Sequence, residues 1–282
     1  MKKIFILLTT AFFFTSFTPK EITWIAIGDS ITYLNDHPDE TGNRVTKGYM
    51  TRVVEKTPRL RYINQGHNGW TAVKIAKEID KLGLVKAAIY SVFLGTNDWW
   101  SGLPLGTIKD YEDNSGNATV YGAFKTIINK IKNLNNQAKI ILITPMQRTD
   151  FVYIGDMRNN AWGSYKEKNG QSLEQFAEAI AAIGKLENFQ VVDLYHHDLL
   201  ALPKLVKYKR LKNPKNGDYT NYKYPTYTTL PFNPASDEYP YPVDAIDITY
   251  DGLHPSDKGN QVIADELIKT FRKNGAILAS HL

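Results

Sequence analysis

Ile22-Thr23-Trp24-Ile25-Ala26-Ile27-Gly28-Asp29-Ser30-Ile31-Thr32 opens with a short β-rich apolar run that stops at Gly28-Asp29-Ser30. An apolar run of this length reads as a strand buried on both faces that ends on a turn. Comparable runs recur at residues 87–94, 139–144 and 190–194, with a shorter one at 61–64. Helical patterns lie between them, at 71–82, near 121–134 and at 173–186. In the last of these Leu173, Phe176, Ala177 and Ile180 recur at i, i+3, i+4 and i+7. Strands alternating with helices predict βαβ units and a parallel sheet. A final amphipathic helix, about 258–272, follows His254-Pro255-Ser256, where Ser256 is placed to cap it.

The alternation fails between Tyr195 and Tyr250, a stretch dense in proline that holds nine of the seventeen tyrosines. A structureless connection of that length is uncommon unless it is functional or locally folded. It is expected to be an ordered insertion, at about 196–250, beside the site. No repeat, low-complexity tract or linker marks a second domain, so residues 21–282 are expected to form one domain. Residues 1–20 are expected to be a cleaved secretory signal: Lys2-Lys3, then an apolar run from Ile4 to Phe14, then Thr15-Ser16. That run is too short to span a bilayer, which needs about 20 residues. Export to a periplasm or out of the cell follows, with no stable membrane span after cleavage.

Of 34 basic side chains, Lys2 and Lys3 open this leader, and setting these two aside leaves 32 against 29 acidic ones. Such a mild surplus gives no argument for nucleic acid. The chain has no cysteine. Disulfides, thiolate metal sites, a thiol nucleophile and a lipid-bearing cysteine are thereby excluded.

Polar clusters fall where the strands end. Gly28-Asp29-Ser30 closes the first, His67-Asn68-Gly69-Trp70 follows the short strand at 61–64, and Gly95-Thr96-Asn97-Asp98 closes the strand at 87–94. Functional groups of open parallel sheets gather at those carboxyl ends. A fourth cluster is Asp251-Gly252-Leu253-His254-Pro255. Acyl transfer needs a hydroxyl nucleophile, an imidazole to take its proton, a carboxylate to orient the imidazole and donors for the oxyanion. Ser30 supplies the first, with Gly28 permitting a close approach there. His254 and Asp251, three residues apart, supply the next two. The backbone N–H groups of Ser30 and Gly69 and the amide of Asn97 form the expected oxyanion hole.

In this order the four clusters resemble the sequence blocks of the SGNH hydrolase superfamily, which includes the GDSL esterases and lipases. The resemblance runs from residue 22 to about 271, with isoleucine where the name-giving pattern has leucine. It implies a three-layer α/β/α sandwich with a parallel, flavodoxin-like sheet. It also implies Ser30 as nucleophile, Gly69 and Asn97 completing the oxyanion hole, and Asp251 and His254 as orienter and base. No cofactor is implied. The predicted substrate is a small-molecule or glycan ester, with carbohydrate O-acetyl groups favoured by export and by the tyrosine-rich insertion. The alternatives are a lipase, lysophospholipase or thioesterase of the same family, or a non-catalytic glycan-binding module.

Taken singly, each cluster is an ordinary turn or Asx loop. Their joint order is what carries the reading. Trp70, Trp99 and Trp100 flank the oxyanion residues and are candidates to line the substrate pocket, although an indole near a strand end is as often core. His67 is expected to shape the Gly69 loop. Asp193, His196, His197 and Asp198 have ligand chemistry, but adjacent histidines point apart, so no metal is expected there. No serine carries the Gly-x-Ser-x-Gly flanks of the α/β-hydrolase elbow, and no nucleotide-binding glycine motif is present.

Overall fold

The computed structural model describes residues 21–273. The expected signal segment, 1–20, and the last residues, 274–282, lie outside the described residues. In chain order the first elements are strand β1 (Ile22–Gly28), helix α1 (Ser30–Tyr33), helix α2 (Tyr49–Glu55), strand β2 (Leu60–Gly66) and helix α3 (Ala72–Glu78). Strand β3 (Ile89–Phe93), helices α4 (Thr96–Trp100), α5 (Ile108–Glu112) and α6 (Val120–Leu134) and strand β4 (Lys139–Ile143) follow. Beyond them come the two-residue strands β5 (Phe151–Val152) and β6 (Asn160–Ala161), helix α7 (Leu173–Glu187), strand β7 (Gln190–Val192), a hairpin of β8 (Lys209–Lys212) and β9 (Tyr219–Tyr222), and helix α8 (Asp257–Lys273).

Five strands form one sheet in the order β2-β1-β3-β4-β7, and every pairing in it is parallel. This is the flavodoxin-like order, and helices cover both faces. Side-chain alternation along the strands sorts the core into two layers. Ile25 and Ile27 pack with α3, α6 and α7, whereas Trp24 and Ala26 pack with α2 and α8. Burying an isoleucine or leucine in either layer stabilises the fold by about 1.5–3 kcal/mol. The Trp24 indole N–H, caught inside the sheet, donates to the Ser91 hydroxyl at 2.9 Å.

Local chemistry sets the helix starts. Thr119 caps α6 by accepting from Gly122 N, and Ser172 with Gln175 closes a capping box on α7. Ser256 Oγ accepts from the N–H groups of Lys258 and Gly259 at 3.2 and 3.3 Å, as its position before α8 predicts.

The chain leaves β1 for β2 on one side and returns to β3 on the other, so β1 and β3 flank the point where strand order reverses. Crevices outside such points are the usual binding sites of open α/β sheets. The tyrosine-rich stretch is locally folded there: Val206, Leu211, Tyr227 and Tyr241 form a small core with Val152, and the β8–β9 hairpin lies within it.

Candidate active site

Ser30 opens α1 directly after β1. Asp29 holds this turn by accepting the Ile31 N–H at 3.0 Å, and burial pushes its carboxyl up to about 6. Gly28 is required by space, since a Cβ there would lie 2.0 Å from Thr32 Oγ1 and 3.2 Å from the Phe93 carbonyl oxygen. His254 Nε2 lies 2.8 Å from Ser30 Oγ, and Nδ1 lies 2.7 Å from Asp251 Oδ2. The other Asp251 oxygen accepts the N–H groups of His254 and Leu253 at 2.7 and 3.0 Å. Asp251 is fully buried, and the His254 ring stacks on Tyr250 and meets the edge of Phe151.

The Asp251 loop is tied to the segment after β4. Thr149 N–H donates to Gly252 O at 2.9 Å, and Val152 N–H donates to Asp251 O at 3.1 Å. Gly252 has φ +93°, and a Cβ there would stand 2.0 Å from the Asp150 carbonyl oxygen. Glycine is what allows this close approach.

Gly69 and Asn97 come from the ends of β2 and β3. His67 N–H donates to Gly28 O at 3.0 Å, Trp70 N–H closes a turn onto His67 O, and the His67 ring stacks on Trp70 at 4.3 Å. Gly69 has φ +70° and open space where a side chain would stand. Asn97 Nδ2 donates to Trp70 O at 3.1 Å, which fixes the amide beside the Gly69 turn. Asp98 accepts the N–H groups of Ala72 and Val73 at the start of α3, and burial raises its carboxyl to about 6. Ser30, Gly69, Asn97 and His254 all border one cavity of about 330 Å³.

A model of the GDSL-like lipase/acylhydrolase family matches residues 26–262. The chain belongs to this family. As a GDSL-like acylhydrolase it is an ester-hydrolysing enzyme. A crystal structure described as that of a possible lipase from Chitinophaga pinensis is 65% identical in sequence, superposes with a TM-score of 0.90, and is matched over 90% of this chain and 99% of that one. A protein from Lactobacillus plantarum, 18% identical over 90% of this chain and 98% of its own, shares the fold with a TM-score of 0.61. No sequence among the curated proteins matches.

The three tryptophans of this acylhydrolase part company. Trp100 borders the cavity. Trp99 is fully buried and donates its indole N–H to Gln171 O at 2.9 Å, so the expectation that it meets substrate is corrected: it is core. Trp70 is half-buried between His67 and Lys74 and does not border the cavity. His196 and His197 turn apart, to Glu174 on α7 and to Glu266 on α8. Among the described residues no cluster of histidine and carboxylate side chains is arranged to hold a metal. The cavity also takes in Arg148, Phe151, Tyr153 and Tyr250, which sequence reasoning missed. A charged residue shortly after the end of a central strand was the signal available for Arg148.

Proposed function

We propose that the enzyme is an exported serine esterase that works through an acyl-enzyme and favours O-acetylated carbohydrates. The observation that carries this reading is the unbroken hydrogen-bond chain from Asp251 through His254 to Ser30, opening on a cavity bordered by Gly69 and Asn97. Ser30 Oγ attacks the ester carbonyl while His254 Nε2 takes its proton. Asp251 holds the imidazole with Nδ1 protonated and stabilises the cation that forms. The N–H groups of Ser30 and Gly69 and the Asn97 amide receive the oxyanion. Ser30 is the first residue of α1, so its N–H has no acceptor within the helix. His254 returns the proton to the leaving alcohol. It then activates a water that releases the acid and restores Ser30.

Cavity size and lining support a short acyl group. About 330 Å³ is at the low end for ligand pockets, and Asn68, Ser101 and Asn159 border it together with Trp100 and Tyr153. Polar groups around aromatic faces suit a sugar. Export is supported by the leader pattern of residues 1–20. Among the described residues, no helix is long and apolar enough to cross a membrane. The name given to the Chitinophaga pinensis relative favours a second reading, a lipase. A series of p-nitrophenyl esters tests both: rates should fall as the acyl chain lengthens beyond acetyl and vanish in Ser30→Ala. Rates rising toward long chains would favour the lipase. Equal background rates for both proteins would sink the catalytic reading.

A further inference from the structure

Arg148 lies in the cavity wall and takes no part in the acyl transfer above. It is 1% exposed, and its guanidinium carbon lies 5.2 and 5.5 Å from the ring centroids of Trp100 and Trp99. Its Nε and Nη2 are buried and meet no hydrogen-bond acceptor among the described residues. Guanidinium carries five donors and stays charged in proteins. Leaving such donors buried and unmet is costly. Burial lowers the Arg148 pKa to about 10, while the charges of Asp251, Asp150 and Asp29 act to raise it, so it is a cation at neutral pH.

These carboxylates hydrogen-bond to other groups. Asp150 receives the Lys209 ammonium at 2.8 Å, the Tyr165 hydroxyl and the Gly163 N–H. Asp251 receives His254 and two backbone amides, and Asp29 receives Ile31 N–H. Glu40, which also borders the cavity, accepts from Tyr33 OH at 2.8 Å and lies 3.6 Å from His37 Nδ1. Lys168 does not border the cavity but stands on the same indole, with Nζ 4.4 Å from the Trp100 centroid and 4.6 Å from that of Trp162.

We propose that Arg148 is an anion subsite of this cavity, and that the preferred substrate is an ester that also carries a carboxylate. The inference rests on Ser30 being the nucleophile of the same cavity. A carboxylate matches the planar fork of the guanidinium and can take two parallel N–H bonds. Trp100 borders the same cavity beside the guanidinium and adds apolar contact for the ligand. Arg148 is thus a specificity-determining residue.

Two pairs of esters test this and separate the places a carboxylate could sit. O-acetylated methyl glucuronoside and O-acetylated methyl glucoside differ by a carboxylate on the alcohol side. 4-Nitrophenyl hydrogen succinate and 4-nitrophenyl butyrate differ by one on the acyl side. In at least one pair the wild type should prefer the anionic member in kcat/KM by on the order of 10- to 100-fold, carried mainly by KM. Arg148→Gln should erase that preference, and Arg148→Lys should retain part of it, with thermal melting showing that each variant folds. If Arg148→Gln does not fold, the fall in preference in Arg148→Lys decides. Equal turnover within both pairs, or a preference that survives the loss of the guanidinium, would overturn the subsite. Calorimetry of glucuronate and succinate with Ser30→Ala, with and without Arg148→Lys, judges the subsite apart from catalysis. Arg148-dependent binding alongside no turnover of p-nitrophenyl acetate by the wild type would sink the nucleophile and keep the subsite; no binding of either carboxylate would sink the subsite.

Discussion

The molecule contains the same Asp-x-x-His geometry twice. Asp193 Oδ2 lies 2.8 Å from His196 Nδ1, and Asp251 Oδ2 lies 2.7 Å from His254 Nδ1. The first pair sits just past β7 with side chains 42% and 48% exposed; the second has 0% and 9%. Their far nitrogens differ as well: His196 Nε2 faces Glu174 at 3.4 Å, and His254 Nε2 faces Ser30 at 2.8 Å. A carboxylate beyond the ring makes an exposed ion-pair network, which is worth little and is screened by salt. A hydroxyl beyond a ring shielded from water is the arrangement that the proposed nucleophile and base require. Chemistry therefore depends on what stands beyond the imidazole and how dry it is, and spacing alone does not supply it.

The largest expected difference between the pairs is catalytic. Ser30→Ala and His254→Ala should each lower kcat for p-nitrophenyl acetate by on the order of 10⁴-fold or more, while His196→Ala should change it less than about twofold. Comparable losses at both histidines would break the comparison. Next, Asp251→Asn should cost on the order of 10³–10⁴-fold by presenting the wrong tautomer to Ser30. Asp193→Asn, assayed beside it, should leave the rate unchanged. Asn97→Ala should cost on the order of 10²–10³-fold, mostly in kcat, through loss of an oxyanion donor; a change confined to KM would place the amide on the ground state instead.

The smallest effect belongs to the exposed pair and concerns stability. The hydrogen bond that His196 donates to Asp193 raises the His196 pKa above its usual 6.5. A raised folded-state pKa means that the charged pair stabilises fully below the unfolded value and that this is lost as pH rises through the folded value. Half exposed, it should contribute under about 1 kcal/mol. Melting curves should therefore separate wild type from His196→Ala near pH 5.5 and converge near pH 8.5. A gap that widens with pH would reverse this assignment.

Much of this was legible beforehand because the signals were local. Strands β1, β3 and β4 are apolar runs, α6 to α8 carry their own periodicity, and Ser30, Gly69 and Asn97 stand where strands stop. What escaped is set by distant packing. Helix α4 has five residues, too few to show a period, yet one step of about 100° along it sends Trp99 into the core and leaves Trp100 at the cavity. The burial of Arg148 depends on those two indoles, 48 and 49 positions earlier in the chain. The β8–β9 hairpin shows little apolar alternation because its strands are mostly polar: Leu211 and Tyr222 join the small core of the stretch, whereas Lys209 is buried beside the distant Asp150.

Labelling with a fluorophosphonate at neutral pH, followed by peptide mapping, tests the central claim most directly. One equivalent should attach to Ser30 in the wild type and in His196→Ala, and almost none in His254→Ala. Labelling at another serine, or equal labelling of Ser30 in the two histidine variants, would contradict it.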